Sequence, residues 1–256
     1  MEGEENMEKN KMEHSGIELT SLSLHILAMV LMLLDHLWLV LPGNVAWMTC
    51  LGRLAFPIFA FLTVEGFFHT KNLKRYMGRM LLFALLSELP FNLMMTGGLV
   101  YPFHQNVLWS FLIGLWLMWI NEKAKATKKP WISVVAGAGT VVLGIVLGTF
   151  SMVDYGYVGV LTVLVFYFLR GEEWWHHAGQ LLVLVYLNKQ LGGVSYEITL
   201  FGAKFFFQQQ SLAVLALIPI WMYQGKQGLH NKALQFSYYA FYPVHMLIIG
   251  LLVRVL

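Results

Sequence analysis

The sequence predicts an all-α fold: a polytopic transmembrane helical bundle of nine spans, or ten if residues 195–205 also cross, with a cytoplasmic amino terminus. Three observations predict it. The chain is 58% hydrophobic and 12% charged, against about 45–50% and about 25% in ordinary soluble domains. Apolar runs of about 20 residues, enough to cross a hydrocarbon core, recur along its length. Lysine and arginine collect in alternate connections between those runs, as cytoplasmic loops do.

The spans are expected near 20–41, 46–69, 77–96, 105–121, 131–150, 155–170, 177–192, 206–223 and 235–254. The connection after the second carries Lys71, Lys74, Arg75 and Arg79, and the one after the fourth carries Lys123, Lys125, Lys128 and Lys129. Arg170 follows the sixth, and Lys226 and Lys232 follow the eighth. The intervening connections (PGN, GGLVYP, SMVDYG, LGGVSY) carry no Lys or Arg. The even-numbered connections are therefore expected to be cytoplasmic. Residues 195–205, short and polar, read as a re-entrant or interfacial piece.

Residues 1–18 are acidic and polar, the composition of a disordered cytoplasmic tail, with no cleavable signal pattern. Residues 19–256 then form a single transmembrane domain of the plasma (cytoplasmic) membrane. The net charge of +3 implies no nucleic acid, because the basic residues sit in short loops. The single cysteine, Cys50, excludes an intramolecular disulfide and a multi-cysteine zinc site. No metal is expected: within the expected spans only Glu65 and His69 have ligand-like helical spacing. A serine nucleophile lacks its G-x-S-x-G context, and no phosphate loop is present.

Residues 24–65 organise the chain. Two apolar runs flank a Pro-Gly-Asn turn, and His36 and Arg53 lie similar distances before and after it. As antiparallel helices they bring the two residues to one depth. An ionised group inside a bilayer costs about 2.5–3.5 kcal/mol on insertion scales, so Asp35, His36 and Arg53 should face inward, with Asp35 and Arg53 paired. His25 precedes His36 by eleven residues, which puts both on one helix face about 16 Å apart. Two readings stand: His36 as a general base, or a hydrogen-bonded cluster that only fixes helix packing.

Pro57 should kink the second span and mark a cavity, with Glu65 toward its inner end. Glu88 lies mid-span before Pro90, as a functional carboxylate or a counter-ion for Arg53. Asn92, Gln105, Asn106, Asp154 and Tyr155 gather at the outer level; Asp154 is also an ordinary helix-cap residue. Gln208, Gln209 and Gln210 interrupt the eighth span, and Tyr242 and His245 flank Pro243 in the ninth.

In order along the chain, LDH (34–36), GRLAFPIFAFLTVEGFFHT (52–70) with the basic loop after it, SELPFN (87–92), QNV (105–107), DYG (154–156) and YYAFYPVH (238–245) resemble the TraX family. Its namesake is the membrane acetylase of conjugative pilin. The family is similar in plan to the acyltransferase-3 membrane enzymes, in which a basic residue, ten intervening positions and a histidine mark the first helix. Here that pattern reads His25 and His36, with histidine in place of the expected Lys or Arg.

The resemblance implies an acetyltransferase that takes acetyl from cytoplasmic acetyl-CoA to an amine, such as a protein N terminus, or to a hydroxyl of a protein, peptide, glycan or small-molecule acceptor. His36 is then the base, oriented by Asp35 or Glu88, and Arg53 serves the oxyanion. His25, Glu65, Lys71, Lys74, Arg75 and Arg79 are the donor-binding candidates. Asn92, Gln105, Asn106, Asp154, Tyr155, Tyr242 and His245 are the acceptor or oxyanion candidates. The rival from another class is a proton-coupled transporter using the same buried groups.

Overall fold

A computed structural model describes residues 19–41, 45–200, 202–229 and 231–255. The expected tail (1–18) and the Pro-Gly-Asn turn (42–44) lie outside the described residues. The helices are α1 (Ser21–Leu37), α2 (Ala46–Gly52), α3 (Ala55–His69), α4 (Leu73–Thr96), α5 (Val107–Lys125), α6 (Pro130–Phe150), α7 (Gly156–Phe168) and α8 (Trp174–Gln190). A hairpin of β1 (Ser195–Leu200) and β2 (Ala203–Gln208) follows, then a 3-10 helix (Gln209–Ala216), α9 (Leu217–Trp221) and α10 (Lys232–Val255). Every run expected to span contains helix. Among the described residues, four helical stretches are long and apolar enough to cross a membrane: Ala46–His69, Leu73–Thr96, Pro130–Phe150 and Lys232–Val255.

Local chemistry sets the boundaries. Thr20 and Ser23 form a reciprocal capping box at the start of α1. Asn72 caps α4 through the Arg75 N–H at 2.9 Å, and Gly97 ends that helix with φ +72°, a conformation glycine takes at little cost. Asn106 caps α5 through the Leu108 N–H at 3.1 Å.

Three expectations are corrected. The second span breaks at Arg53–Leu54, not at Pro57. Pro57 lies in the first turn of α3, where a missing N–H costs no helical bond. The basic stretch after it is largely not loop, because α4 begins at Leu73 and takes in Lys74, Arg75 and Arg79. The described residues of 195–205 are strand but for Gly202, so no tenth helical span forms there. They belong to the antiparallel hairpin, in which Ser195 pairs with Gln208 and Leu200 with Ala203. Its Tyr, Ile, Thr and Phe residues favour the pleated conformation, and Gly202 takes φ +79° beside the turn. The helical part of the eighth expected span therefore starts at Gln209, with eight residues of 3-10 helix ahead of α9.

The helices pack as a bundle whose outward faces are apolar. On α4, Leu82, Leu85, Leu86 and Leu89 are each more than half exposed, as lipid-facing side chains are. On α6, the buried positions are Thr140, Gly144 and Gly148, four residues apart, so small residues face the bundle and let neighbouring backbones close in. Gly148 sits directly on the Tyr157 backbone, and Gly144 packs on Leu117 and Val160.

Ring contacts give the relative directions. His25 stacks on Tyr238 at 4.2 Å and His36 lies beside His245, so α1 and α10 run parallel. Phe83 stacks on Tyr239 at 5.1 Å and Gly250 packs on Leu93, so α4 runs with them. Phe56 stacks on Tyr155, and Phe68 on Tyr167, so α3 and α7 are parallel to each other. The bundle thus has two polar ends. One gathers His25, Glu65, His69 and Arg170; the other gathers Asp35, His36, Arg53, Glu88, Asn106, Asp154 and His245.

Candidate active site

The expected Asp35–Arg53 pair is present. Both Asp35 oxygens receive Nη2 of Arg53, and Thr49 Oγ1 donates to Asp35 Oδ1 at 2.5 Å. Arg53 also reaches back within its own helix, from Nε to the Thr49 carbonyl at 3.2 Å and from Nη2 to Thr49 Oγ1 at 3.0 Å. Arg53 caps the end of α2, so the break in the second span places its guanidinium against α1. Gly52 is required there: a Cβ at position 52 would fall on the Asp35 side chain.

His36, next in sequence to Asp35, turns to a different partner. Its Nδ1 lies 2.7 Å from Nε2 of His245, with the rings 4° from parallel. His245 Nδ1 lies 2.7 Å from the Phe241 carbonyl, and its ring is flanked by Phe241 at 4.8 Å and Tyr242 at 5.9 Å. The expectation that a carboxylate orients His36 is therefore corrected: Asp35 is taken up by Arg53 and Thr49, and an imidazole holds His36.

Glu88 is not the counter-ion of Arg53. Its Oε1 receives the Asn106 backbone N–H at 3.1 Å, the Asn106 side-chain amide, and the Trp109 indole N–H at 2.7 Å. The carboxylate thus sits at the N terminus of α5, where the helix dipole favours negative charge. Asn106 Nδ2 also donates to the Ala84 carbonyl at 2.8 Å, which pins α5 to α4.

Asp154 Oδ1 accepts from the Tyr155 N–H at 3.1 Å and lies 3.3 Å from His104 Nε2. That partnership raises the His104 pKa above its ordinary value, against a smaller opposing effect of partial burial. Tyr155 adopts φ +61° and stacks on Phe56 at 4.1 Å. Gln105 and Asn92 serve the loop instead of the cluster. Gln105 donates to the Pro102 carbonyl at 2.8 Å and its backbone bridges to Val153. Asn92 donates to the Leu99 carbonyl at 3.4 Å, and its buried Oδ1 has no hydrogen-bond partner among the described residues.

Between the two polar ends runs a cavity of about 290 Å³. His25, Glu65, His69 and Gln227 line it at one end, and Met32, Phe111 and Tyr242 at the other. Along α1 it extends from Ser21 to Met32, roughly 16 Å of helix. Met32 lies one turn before His36, and the Tyr242 ring centroid is 5.9 Å from that of His245; neither histidine itself lines the cavity. The segment 222–229, which adds Tyr223, Gly225, Gln227 and Leu229 to the wall, is tied to the start of α1: Leu19, Ser21 and Leu22 donate backbone bonds to Met222, Lys226 and Gln227.

His25 and Glu65, both predicted for donor binding, line this cavity. Lys71, Lys74 and Arg75 are exposed and do not. Arg79 is half-buried over the Tyr239 ring, 5.9 Å from its centroid, and Tyr239 lines the cavity. Glu65 also has a partner that sequence reading missed: Arg170 Nε donates to its Oε1 at 2.8 Å, while Arg170 covers the Phe68 ring at 4.6 Å. The positions of Glu65 and Arg170, each near the basic end of an expected span, were the available signal. Thr49 and Trp109 carried none, being ordinary residues of apolar helices.

A membrane helical bundle with an inward-facing His/Asp/Arg cluster and an internal cavity defines the class. The particular family follows from comparison. The model of the family described as "TraX protein" matches residues 21–253, and the chain belongs to the TraX family. The Dichelobacter nodosus protein named "Probable fimbrial assembly protein FimC, serogroup H1" is 25% identical over 257 residues, covering 90% of this chain and 94% of that protein. No solved structure matches the chain.

Proposed function

We propose that the protein is an integral acyltransferase of the cytoplasmic membrane that passes acetyl from cytosolic acetyl-CoA to an amine or hydroxyl acceptor on the membrane or its outer side. One observation carries the reading: a single cavity has His25 and Glu65 in its wall and extends to Met32 and Tyr242, the neighbours of His36 and His245. Its shape suits an extended thioester arm. The narrow, mainly apolar and tyrosine-rich walls suit the arm better than a hydrated ion path. The same two-ended arrangement, together with the alternating basic connections, supports nine crossings with a cytoplasmic amino terminus.

In this reading Lys71, Lys74 and Arg75 hold CoA phosphates outside the cavity, with Arg79 closest to it. His36 takes the proton of the attacking amine or hydroxyl. Arg53, fixed by Asp35, offers positive charge to the oxyanion. Glu88, Asn106, Asp154 and Tyr155 shape the acceptor side. The family and the name of the Dichelobacter nodosus relative support a role in pilin or fimbrial assembly, and make a surface-fibre subunit the first acceptor to examine.

Mass spectrometry of membrane and surface proteins, from cells with and without the protein, tests this. A protein that loses one acetyl group when the gene is deleted, and regains it on complementation, is the expected result. Unchanged acetylation throughout, with solute accumulation by the purified protein in proteoliposomes, would replace the transferase with a transporter.

A further inference from the structure

We infer that His245 is a positioning residue that holds His36 in its Nδ1–H tautomer and leaves Nε2 as the basic nitrogen. The kinetic consequence rests on the acyltransferase reading; the tautomer rests on geometry alone. The Phe241 carbonyl can only accept a hydrogen bond, so His245 Nδ1, 2.7 Å away, donates. A neutral imidazole has one N–H, so His245 Nε2 carries a lone pair. His36 Nδ1, 2.7 Å from that lone pair, must in turn be the donor. The proton of His36 is thereby fixed on Nδ1, and its Nε2 is an acceptor.

A charged His245 would reverse this, but the surroundings oppose the charge. Among the described residues no carboxylate is ion-paired with either ring. Asp35 is bound by Arg53 and Thr49, and Glu88 by Asn106 and Trp109. A lone imidazolium within the membrane would bear its desolvation cost unrelieved. The stacking of Phe241 on His245 fixes the ring plane, so the chain carbonyl–His245–His36 is held from α10 and acts across to α1.

In the transfer step, the acceptor N–H or O–H gives its proton to His36 Nε2 as the heteroatom bonds to the thioester carbon. The C–S bond then breaks, and His36 returns the proton to the CoA sulfur, releasing the thiol. With the tautomer reversed, Nε2 would carry a proton and could not act as base. A triad serine hydrolase uses an aspartate to fix its histidine; here a second imidazole has that task.

Nitrogen-15 NMR of histidine-labelled protein in detergent, with His36 assigned by its loss in His36→Gln, reads the tautomer directly. The expected wild-type state is Nδ1–H at His36. His245→Ala should release His36 into the Nε2–H form, while His245→Gln, whose amide oxygen can accept the same bond, should keep Nδ1–H. Thiol release from acetyl-CoA should fall about 100-fold in His245→Ala through kcat, with KM changed less than about twofold, and recover substantially in His245→Gln. An Nε2–H tautomer in the wild type, or no tautomer change in His245→Ala, would overturn the inference. Should the alanine variant not fold, the wild-type spectrum decides alone. The expected tautomers without any thiol release would uphold the pair and reject the acyltransferase reading.

Discussion

His36 and His245 are 209 residues apart in sequence and 2.7 Å apart in space. The bond joins the first helix of the bundle to the last, at the level where Asp35 meets Arg53. Two polar pairs from adjacent positions on α1 thus diverge, one to a cation and one to a neutral ring. This separates charge neutralisation from base orientation in a site only a few residues wide.

The Asp35–Arg53 pair should be structural as well as electrostatic. Removing one partner leaves a buried charge, which costs about 3–5 kcal/mol. Arg53→Ala should therefore lower the unfolding midpoint in detergent sharply, and Asp35→Asn combined with Arg53→Met should recover most of the loss. Equal destabilisation in the single and double variants would show that the two groups do not depend on each other.

Glu65 lines the cavity, and its carboxylate is held by Arg170. Arg170→Ala removes the hydrogen bonds to both Glu65 oxygens and leaves His69 as its remaining ion-pair partner, at 3.7 Å. The expected outcome is weaker acetyl-CoA binding, by about threefold to tenfold, with kcat little changed. Binding measured by competition with a fluorescent CoA analogue checks it, and a change confined to kcat would place Arg170 elsewhere in the mechanism.

The cavity can be filled without replacing any titratable group. A Cβ at Gly66 would come within 2.8 Å of the Tyr76 hydroxyl, and both residues line the space. Gly66→Leu should reduce turnover by an order of magnitude or so through loss of donor access, while Gly78→Leu, where a Cβ meets open space, should leave it unchanged. Equal turnover in the two variants would mean that the donor does not use this cavity.

His104 gives the fold a pH dependence of known sign. Its pKa is raised from 6.5 by the hydrogen bond to Asp154, so the bond's contribution is fully present below the ordinary value and is lost as pH rises through the raised one. The unfolding midpoint should fall across that interval, and His104→Gln should flatten the slope. An identical pH profile in the variant would remove this pair from the stability of the fold.

Much of the bundle was legible because the bilayer constrains it so strongly. Apolar length located the helices, and the cost of buried charge forced Asp35 and Arg53 together. What escaped was governed by local geometry or by distance along the chain. Residues 195–208 pair as two strands, which joins a piece read as too polar to span to the start of the run read as the eighth span. Pro57 signals a break, yet the chain breaks four residues earlier, where Arg53 turns back to Asp35. His36–His245 and Glu65–Arg170 join distant helices, and helical periodicity places a residue on a face without saying which helix that face meets. Glu88 was legible as a costly carboxylate, but its three neutral donors follow from how α5 starts against α4.

The most direct test of the central claim is release of CoA thiol from acetyl-CoA by purified, detergent-solubilised protein, with His36→Ala as the comparison. The account predicts release that requires an acceptor and falls about 100-fold or more in the variant, while the variant retains its fold and binds acetyl-CoA. Turnover that is equal in the two proteins, or absent from wild type in the presence of candidate amine and hydroxyl acceptors, would contradict it.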